Sequence, residues 1–223
     1  MRSYYEQRAL EYDDWWFGRG LFAQRGRPGW EQDVAALKAA LGALPPARTL
    51  DAACGTGFLT EALPGELTGL DQSERMLEVA SARLPDAGFV VGDALAPPFP
   101  YDAFERVHTA HFYGHLLPDQ REAFLAEAAR LAPELVVVDS ALRPGGEAAA
   151  WQERTLNDGS RHSVYKRWFT AAGLAAELGG RETIHAGAWF VAVSAVRSAR
   201  SRPRPTGCPH RARPAPPRGR RSP

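Results

Sequence analysis

The sequence predicts an α/β fold: a doubly wound, mostly parallel sheet of seven strands, Rossmann-like, closed by an antiparallel C-terminal hairpin. Three observations predict it. Strand-like and helix-like stretches alternate along residues 1–196, which implies crossover connections and parallel pairing. The run Leu135–Asp139 (LVVVD) is apolar almost throughout, as in a strand buried on both faces. The last two strand-like stretches are separated only by Ala186-Gly187-Ala188, too few residues for a crossover helix, so they pair antiparallel.

The elements follow in order. Helical stretches are expected over 3–15 and 30–43, the second closed by Pro45-Pro46. A strand at Thr49–Ala53 leads into a Gly-rich turn and a helix from about Gly57 to Leu63. Leu67–Leu70 is a second strand. Ser73 is placed to N-cap a helix running to Arg83, with Met76, Leu77 and Ala80 on one face. Strands follow at Phe89–Val91 and Val107–Thr109. Pro118–Leu131 is an amphipathic helix with Phe124, Leu125, Ala128 and Leu131 inward. Asn157-Asp158-Gly159 sits between two half-polar stretches and predicts a β-hairpin over 151–169. A helix at Ala171–Leu178, ended by Gly179-Gly180, precedes the closing strands Glu182–His185 and Trp189–Ser194.

Composition bounds the function. With 44% apolar residues among 223, the chain can bury a full core. Two cysteines exclude a disulfide scaffold, and no apolar run is long enough to cross a bilayer. The N-terminus is not a secretory signal, so a cytoplasmic protein is expected. Residues 197–223 hold nine arginines and no acid. The formal charge of +1 therefore divides into a tail of +9 and a body of −8, a poor match for nucleic acid. The tail, which contains Cys208, is expected to be disordered. The expected domain spans 1–196, with N-terminal helices to residue 45, a core at 49–140 and the insert at 151–169.

The strongest signal is LDAACGTGFLT, residues 50–60, at the handover from a strand to the following segment. Gly55 and Gly57 allow a tight turn and close approach of a ligand. The pattern is G-x-G-x-x-T rather than the dinucleotide fingerprint. Asp51 precedes the glycines, Asp71 ends the second strand in GLDQS, and Asp93 follows the third in VVGDA. In an open parallel sheet ligands bind at the carboxyl ends of the strands, where all three acids fall. Such carboxylates accept from ribose hydroxyls and an exocyclic amine. They disfavour a pyrophosphate and suit a cationic cofactor.

Residues 49–116 resemble class I S-adenosylmethionine-dependent methyltransferases, especially the small-molecule group, through LDAACGTG, GLDQSERMLEVA, VVGDALAPPFP and FERVHTAHFYGHL. The resemblance implies S-adenosylmethionine as cofactor and a small-molecule methyl acceptor, in a monomer or homodimer. It implies that Asp51 through Gly57, including Ala53 and Gly55, hold the methionine part, with Ala110 beside it. Asp71 would hold the ribose, Gln72 and Met76 border the adenine, and Asp93 with Ala94 hold the adenine amine. Phe104-Glu105 departs mildly from the usual Phe-Asp.

Residues toward the substrate are less specific. HTAHFYGH brings His108, His111 and His115 past the fourth strand. His111 is a candidate general base, or an orienting group, beside the transferred methyl. No third ligand accompanies His111 and His115, so no metal is expected. Tyr5, Arg8, Tyr12 and Trp16 recur at helical spacing, and in related enzymes such a helix is a lid over the cofactor. Arg154, Arg161, Tyr165, Lys166 and Arg167 make the insert basic, which suits an anionic substrate or a solvated face. Rival readings are an oxidoreductase, a non-catalytic protein of the same fold, and a methyltransferase acting on RNA or protein.

Overall fold

The computed structural model describes residues 2–179 and 182–196. The basic tail and Cys208 lie outside the described residues. Helices α1 (Arg2–Arg8), α2 (Asp14–Phe17) and α3 (Trp30–Gly42) precede strand β1 (Ala47–Ala52). Then come β2 (Gly65–Asp71), α4 (Glu74–Arg83), β3 (Gly88–Val91), β4 (Arg106–Ala110), α5 (Pro118–Leu131) and β5 (Glu134–Ser140). The chain continues through β6 (Ala149–Thr155), β7 (Arg161–Arg167), α6 (Ala171–Leu178), β8 (Glu182–Ala186) and β9 (Phe190–Val196). The seven-stranded sheet has the order β3-β2-β1-β4-β5-β9-β8, and β6 and β7 form a separate two-stranded ribbon.

Pairing among β1 to β5 is parallel, while β9 runs antiparallel to both β5 and β8, as the short turn requires. Successive side chains of β5 enter opposite layers. Val137 packs with Phe124 and Leu131 of α5 and Leu174 of α6. Val136 and Val138 pack with Leu37 and Leu41 of α3 and with Phe190. Leu37 and Leu41 are fully buried, and each such burial stabilises by roughly 1.5–3 kcal/mol.

Local chemistry sets the helix boundaries. The Ser73 side chain accepts from the Met76 N–H at 3.1 Å and starts α4. Thr170 does the same for α6, which Gly179 ends in the left-handed conformation.

Two expected helices differ. After the Gly-rich turn only a single 3-10 turn forms, at Thr60–Ala62, in place of a helix over Gly57–Leu63. Gly57 at φ 73° is non-helical, the Thr60 hydroxyl is drawn to Asp51, and Pro64 follows. The stretch 3–15 is broken by a 3-10 segment at Ala9–Glu11 into α1 and a short α2.

In the sheet, β1 is followed by a neighbour on one side and β4 on the other, so the strand order reverses between them. The carboxyl ends of β1, β2 and β4 open a crevice there, which is where ligands bind in such sheets.

Candidate cofactor and acceptor site

The turn after β1 is held by backbone geometry. Ala53 and Gly55 lie in the left-handed region, at φ 59° and 55°. For alanine this costs about 1–2 kcal/mol, strain of the kind that collects at functional sites. The Cys54 N–H donates to the Leu70 carbonyl at 3.0 Å, and the Gly55 N–H to Asp71 Oδ2 at 2.9 Å. The turn is thereby tied to the end of β2. Burial, then the charges of Asp51 and Asp71, push the Cys54 thiol well above its usual range, so it is a packing residue and no nucleophile.

Beside this turn lies an inner pocket of about 270 Å³. Ala53, Gly55, Asp71, Gln72, Met76, Asp93, Ala94 and Ala110 line it, with Tyr5, Tyr12, His111 and His115 toward its opening. Asp71 Oδ1 accepts from the Ser73 N–H at 2.9 Å. Burial raises the Asp71 carboxyl, against the pull of its backbone donors. Asp93 Oδ1 accepts from the Leu95 N–H at 2.9 Å. Among the described residues, no lysine or arginine lines this pocket. A carboxylate offers about four lone-pair positions, so both acids retain capacity for a ligand. A Cβ on Gly55 would meet nothing nearer than Tyr12 Cε1 at 3.9 Å, so its absence leaves open space. Carboxylates without cations fit hydroxyls, an amine and a positive charge, and do not fit a pyrophosphate.

Four sequence-derived residues lie off this pocket: Arg8, which lines the outer chamber described below, and Asp51, Gly57 and Trp16. Asp51 is buried and spends its carboxylate on the Thr60 hydroxyl and on His108 Nδ1, the latter at 2.9 Å. Gly57 faces α4, where a Cβ would stand 3.4 Å from Ala80 Cβ; the glycine serves close packing. Trp16 is stacked on Phe58 at 4.3 Å in the core, because the break at Ala9–Glu11 interrupts the helical spacing that linked it to Tyr5 and Tyr12. Conversely, Gly92, Leu95, Phe112, Leu116 and Gln120 line the pocket unforeseen. Of these Gly92 and Leu95 lie inside VVGDALAPPFP and Phe112 and Leu116 inside FERVHTAHFYGHL, and Gln120 falls outside every recognised motif.

Residues 49–134 match a family model described as a methyltransferase domain. The chain is 31% identical over 136 residues to demethylmenaquinone methyltransferase of Renibacterium salmoninarum, covering 60% of this chain and 52% of the relative. It is 35% identical over 116 residues to phthiotriol/phenolphthiotriol dimycocerosates methyltransferase of Mycobacterium tuberculosis, covering 47% and 41%. The chain spans about half the length of the curated relatives it matches, or less. The DhpI–SAM–HEP complex superimposes with a TM-score of 0.65 at 25% identity, over 86% of this chain and 94% of that one. Residues 49–134 belong to this methyltransferase-domain family.

At the mouth of the pocket of this methyltransferase domain stands His111, itself at φ 56°. Its ring is wedged among Trp15, Trp16 and Phe190, with centroids 5.0, 5.3 and 5.5 Å away. Burial, then the Lys166 charge, pulls its pKa down to about 3. Burial thus favours the neutral imidazole at physiological pH. Nδ1 lies 3.5 Å from Ser140 Oγ and 3.8 Å from Asp139 Oδ1, and Nε2 is buried with no partner among the described residues.

Behind His111 lies a buried ion pair, Lys166 Nζ to Asp139 Oδ1 at 2.5 Å. Asp139 also accepts from the Gly114 N–H at 2.7 Å. Burial alone would raise the Asp139 carboxyl, but the Lys166 ammonium outweighs it and holds it low. This pair was not foreseen as a site. The signals were Asp139 ending the apolar run at the ligand edge, and Lys166 as one of only two lysines.

Tyr5, Tyr12, His111 and His115 also line a second, outer chamber of about 640 Å³, which carries Arg8 in its wall. Burial raises both tyrosine hydroxyls, that of Tyr12 to about 12. Both stay protonated, so neither supplies a base. His115 Nδ1 donates to the Tyr165 carbonyl, 2.5 Å away, because a carbonyl only accepts; this nitrogen therefore carries the proton.

Proposed function

We propose that this chain transfers a methyl group from S-adenosylmethionine to a small-molecule acceptor by direct displacement. The observation that carries the reading is a cation-free inner pocket with Asp71 and Asp93 at its wall, opening past His111 into a second chamber.

When bound there, S-adenosylmethionine would supply an electrophilic methyl carbon on a cationic sulfur for an acceptor lone pair. In this reading Asp71 accepts from the ribose hydroxyls. Gln72 and Met76 border the adenine, and Asp93 and Ala94 face its amine. Ala53, Gly55 and Ala110 surround the methionine part. Tyr5 and Tyr12 roof the pocket and exclude water, which strengthens the electrostatics inside. His111 orients the acceptor through its unpartnered nitrogen, and alignment is the main demand of a displacement. A cytoplasmic location accords with this chemistry, and no helix among the described residues is long and apolar enough to cross a membrane.

Calorimetry tests the reading. S-adenosylmethionine and S-adenosylhomocysteine should bind with a 1:1 stoichiometry, and NADH should not. Binding of NADH alone would overturn it in favour of an oxidoreductase.

A further inference from the structure

The two chambers carry opposite charge. Among the described residues, the inner pocket is lined by Asp71 and Asp93 and by no cationic side chain. The outer chamber is walled by Arg8, Arg25, Arg27, Arg143, Arg154 and Lys166, against Glu153 as its acid. Glu153 is already engaged by Arg161 at 3.2 Å. This concentration of positive charge occurs on a body whose net charge is −8.

The arginines of this wall are unlike many others in the chain. Arg83, Arg106, Arg121, Arg130, Arg161 and Arg167 each lie within 4 Å of a carboxylate. Among the described residues, none of the five chamber arginines has such a partner. Aromatic faces hold four of them instead. Arg8 lies 5.1 Å over Tyr12, Arg25 4.7 Å over Phe22, Arg27 4.1 Å over Trp30 and Arg143 4.0 Å over Trp189. Stacking fixes a guanidinium by its face and leaves its N–H edge for a planar oxyanion.

Arg8 and Arg154 stand where the two chambers join. Arg8 is only 7% exposed, and among the described residues its hydrogen bond goes to the Tyr4 hydroxyl. Arg154 donates weakly to Gln152 at 3.5 Å, and its charge reaches Tyr5, Tyr12, His111 and His115 at the shared mouth. A buried guanidinium without a counter-ion, as at Arg8, is costly unless an anion completes it, and Arg154 is half-buried.

We propose that the outer chamber recognises the methyl acceptor as a small organic oxyanion, a carboxylate or phosphoryl group clamped by Arg8 and Arg154 beside an aromatic wall. This rests on the inner pocket being the cofactor site. The charge division assigns each chamber its ligand: a cationic cofactor against carboxylates, an anionic acceptor against guanidiniums.

The test uses the full chain saturated with S-adenosylhomocysteine. Benzoate, phenyl phosphate and neutral anisole are titrated at low salt, following the fluorescence of the chamber tryptophans. We expect saturable binding of at least one anion, with the anion preferred at least tenfold over anisole. Whichever anion binds identifies the head group. Arg154→Gln and Arg8→Gln should each weaken that anion at least tenfold, while S-adenosylhomocysteine affinity stays within threefold. Arg161→Gln, on the same ribbon but paired to Glu153, should leave anion affinity unchanged. If Arg8→Gln does not fold, Arg154→Gln carries the test alone. Equal binding of anisole, no saturable anion binding, or an unaffected Arg154→Gln variant overturns the proposal. Failure of S-adenosylhomocysteine to bind would instead overturn the cofactor reading.

Discussion

Asp71 serves the fold and the pocket at once: its two oxygens accept from the Gly55 and Ser73 N–H groups while the carboxylate faces the cavity. Asp71→Ala should weaken S-adenosylmethionine binding by about 1.5–3 kcal/mol, the scale of hydrogen bonds to a charged group. Isothermal titration of the folded variant checks this, and unchanged affinity would refute the ribose assignment. His111 makes a different prediction. With its pKa near 3, turnover should show no limb around pH 6.5, where a free imidazole titrates. His111→Ala should lower kcat about tenfold to a hundredfold through lost alignment, with cofactor affinity nearly unchanged. A wild-type limb near pH 6.5 that the variant loses would restore the role of general base. Histidine chemistry was legible in HTAHFYGH, but its environment was not. The Lys166 ammonium and the tryptophans that bury the ring come from 55 to 96 residues away in the chain.

At the scale of elements, the boundaries that matched are those set by local groups. Ser73 caps α4, Pro118 opens α5, and the Ala186-Gly187-Ala188 turn joins the closing strands. That hairpin is further fixed by Asp33 of α3. Asp33 Oδ1 pairs with His185 Nε2 and Oδ2 accepts from the Trp189 N–H, both at 2.6 Å. A Cβ on Gly187 would stand 1.8 Å from Asp33 Oδ1, closer than any contact permits. Gly187→Ala should therefore displace Asp33 and destabilise by about 2–4 kcal/mol, the range of buried hydrogen-bond loss and steric overlap. Urea denaturation checks it; a change below about 0.5 kcal/mol would show that the turn relocates freely. The helix expected over Gly57–Leu63 failed for the converse reason. Its residues have adequate propensity, but Thr60 is recruited by Asp51, a contact that propensity does not contain.

For the whole molecule, the buried histidines link stability to pH. Burial lowers the pKa of both His111 and His115. Below about pH 6.5 the unfolded chain takes up protons that the folded chain refuses. Stability is thus fully present above pH 6.5 and falls as pH drops toward the folded-state values. The expected slope is about 1.4 kcal/mol per pH unit for each histidine. Urea melts between pH 7 and 5 should show it, and His111→Gln should remove about one proton from the slope. A flat profile would place both rings in contact with water. By itself the sequence determined the doubly wound sheet, its antiparallel close and the place of Asp71 and Asp93 at the pocket-bearing edge. These depend on hydrophobic period, connection length and position at a strand end, all local along the chain. The tertiary structure decided what distance in sequence hides: that Asp51 and Trp16 belong to the core, that His111 is neutral, and that arginines from α1, the segment before α3, and the β6–β7 ribbon meet around one chamber. Charge and burial act through space, and only the packed fold fixes which groups share it.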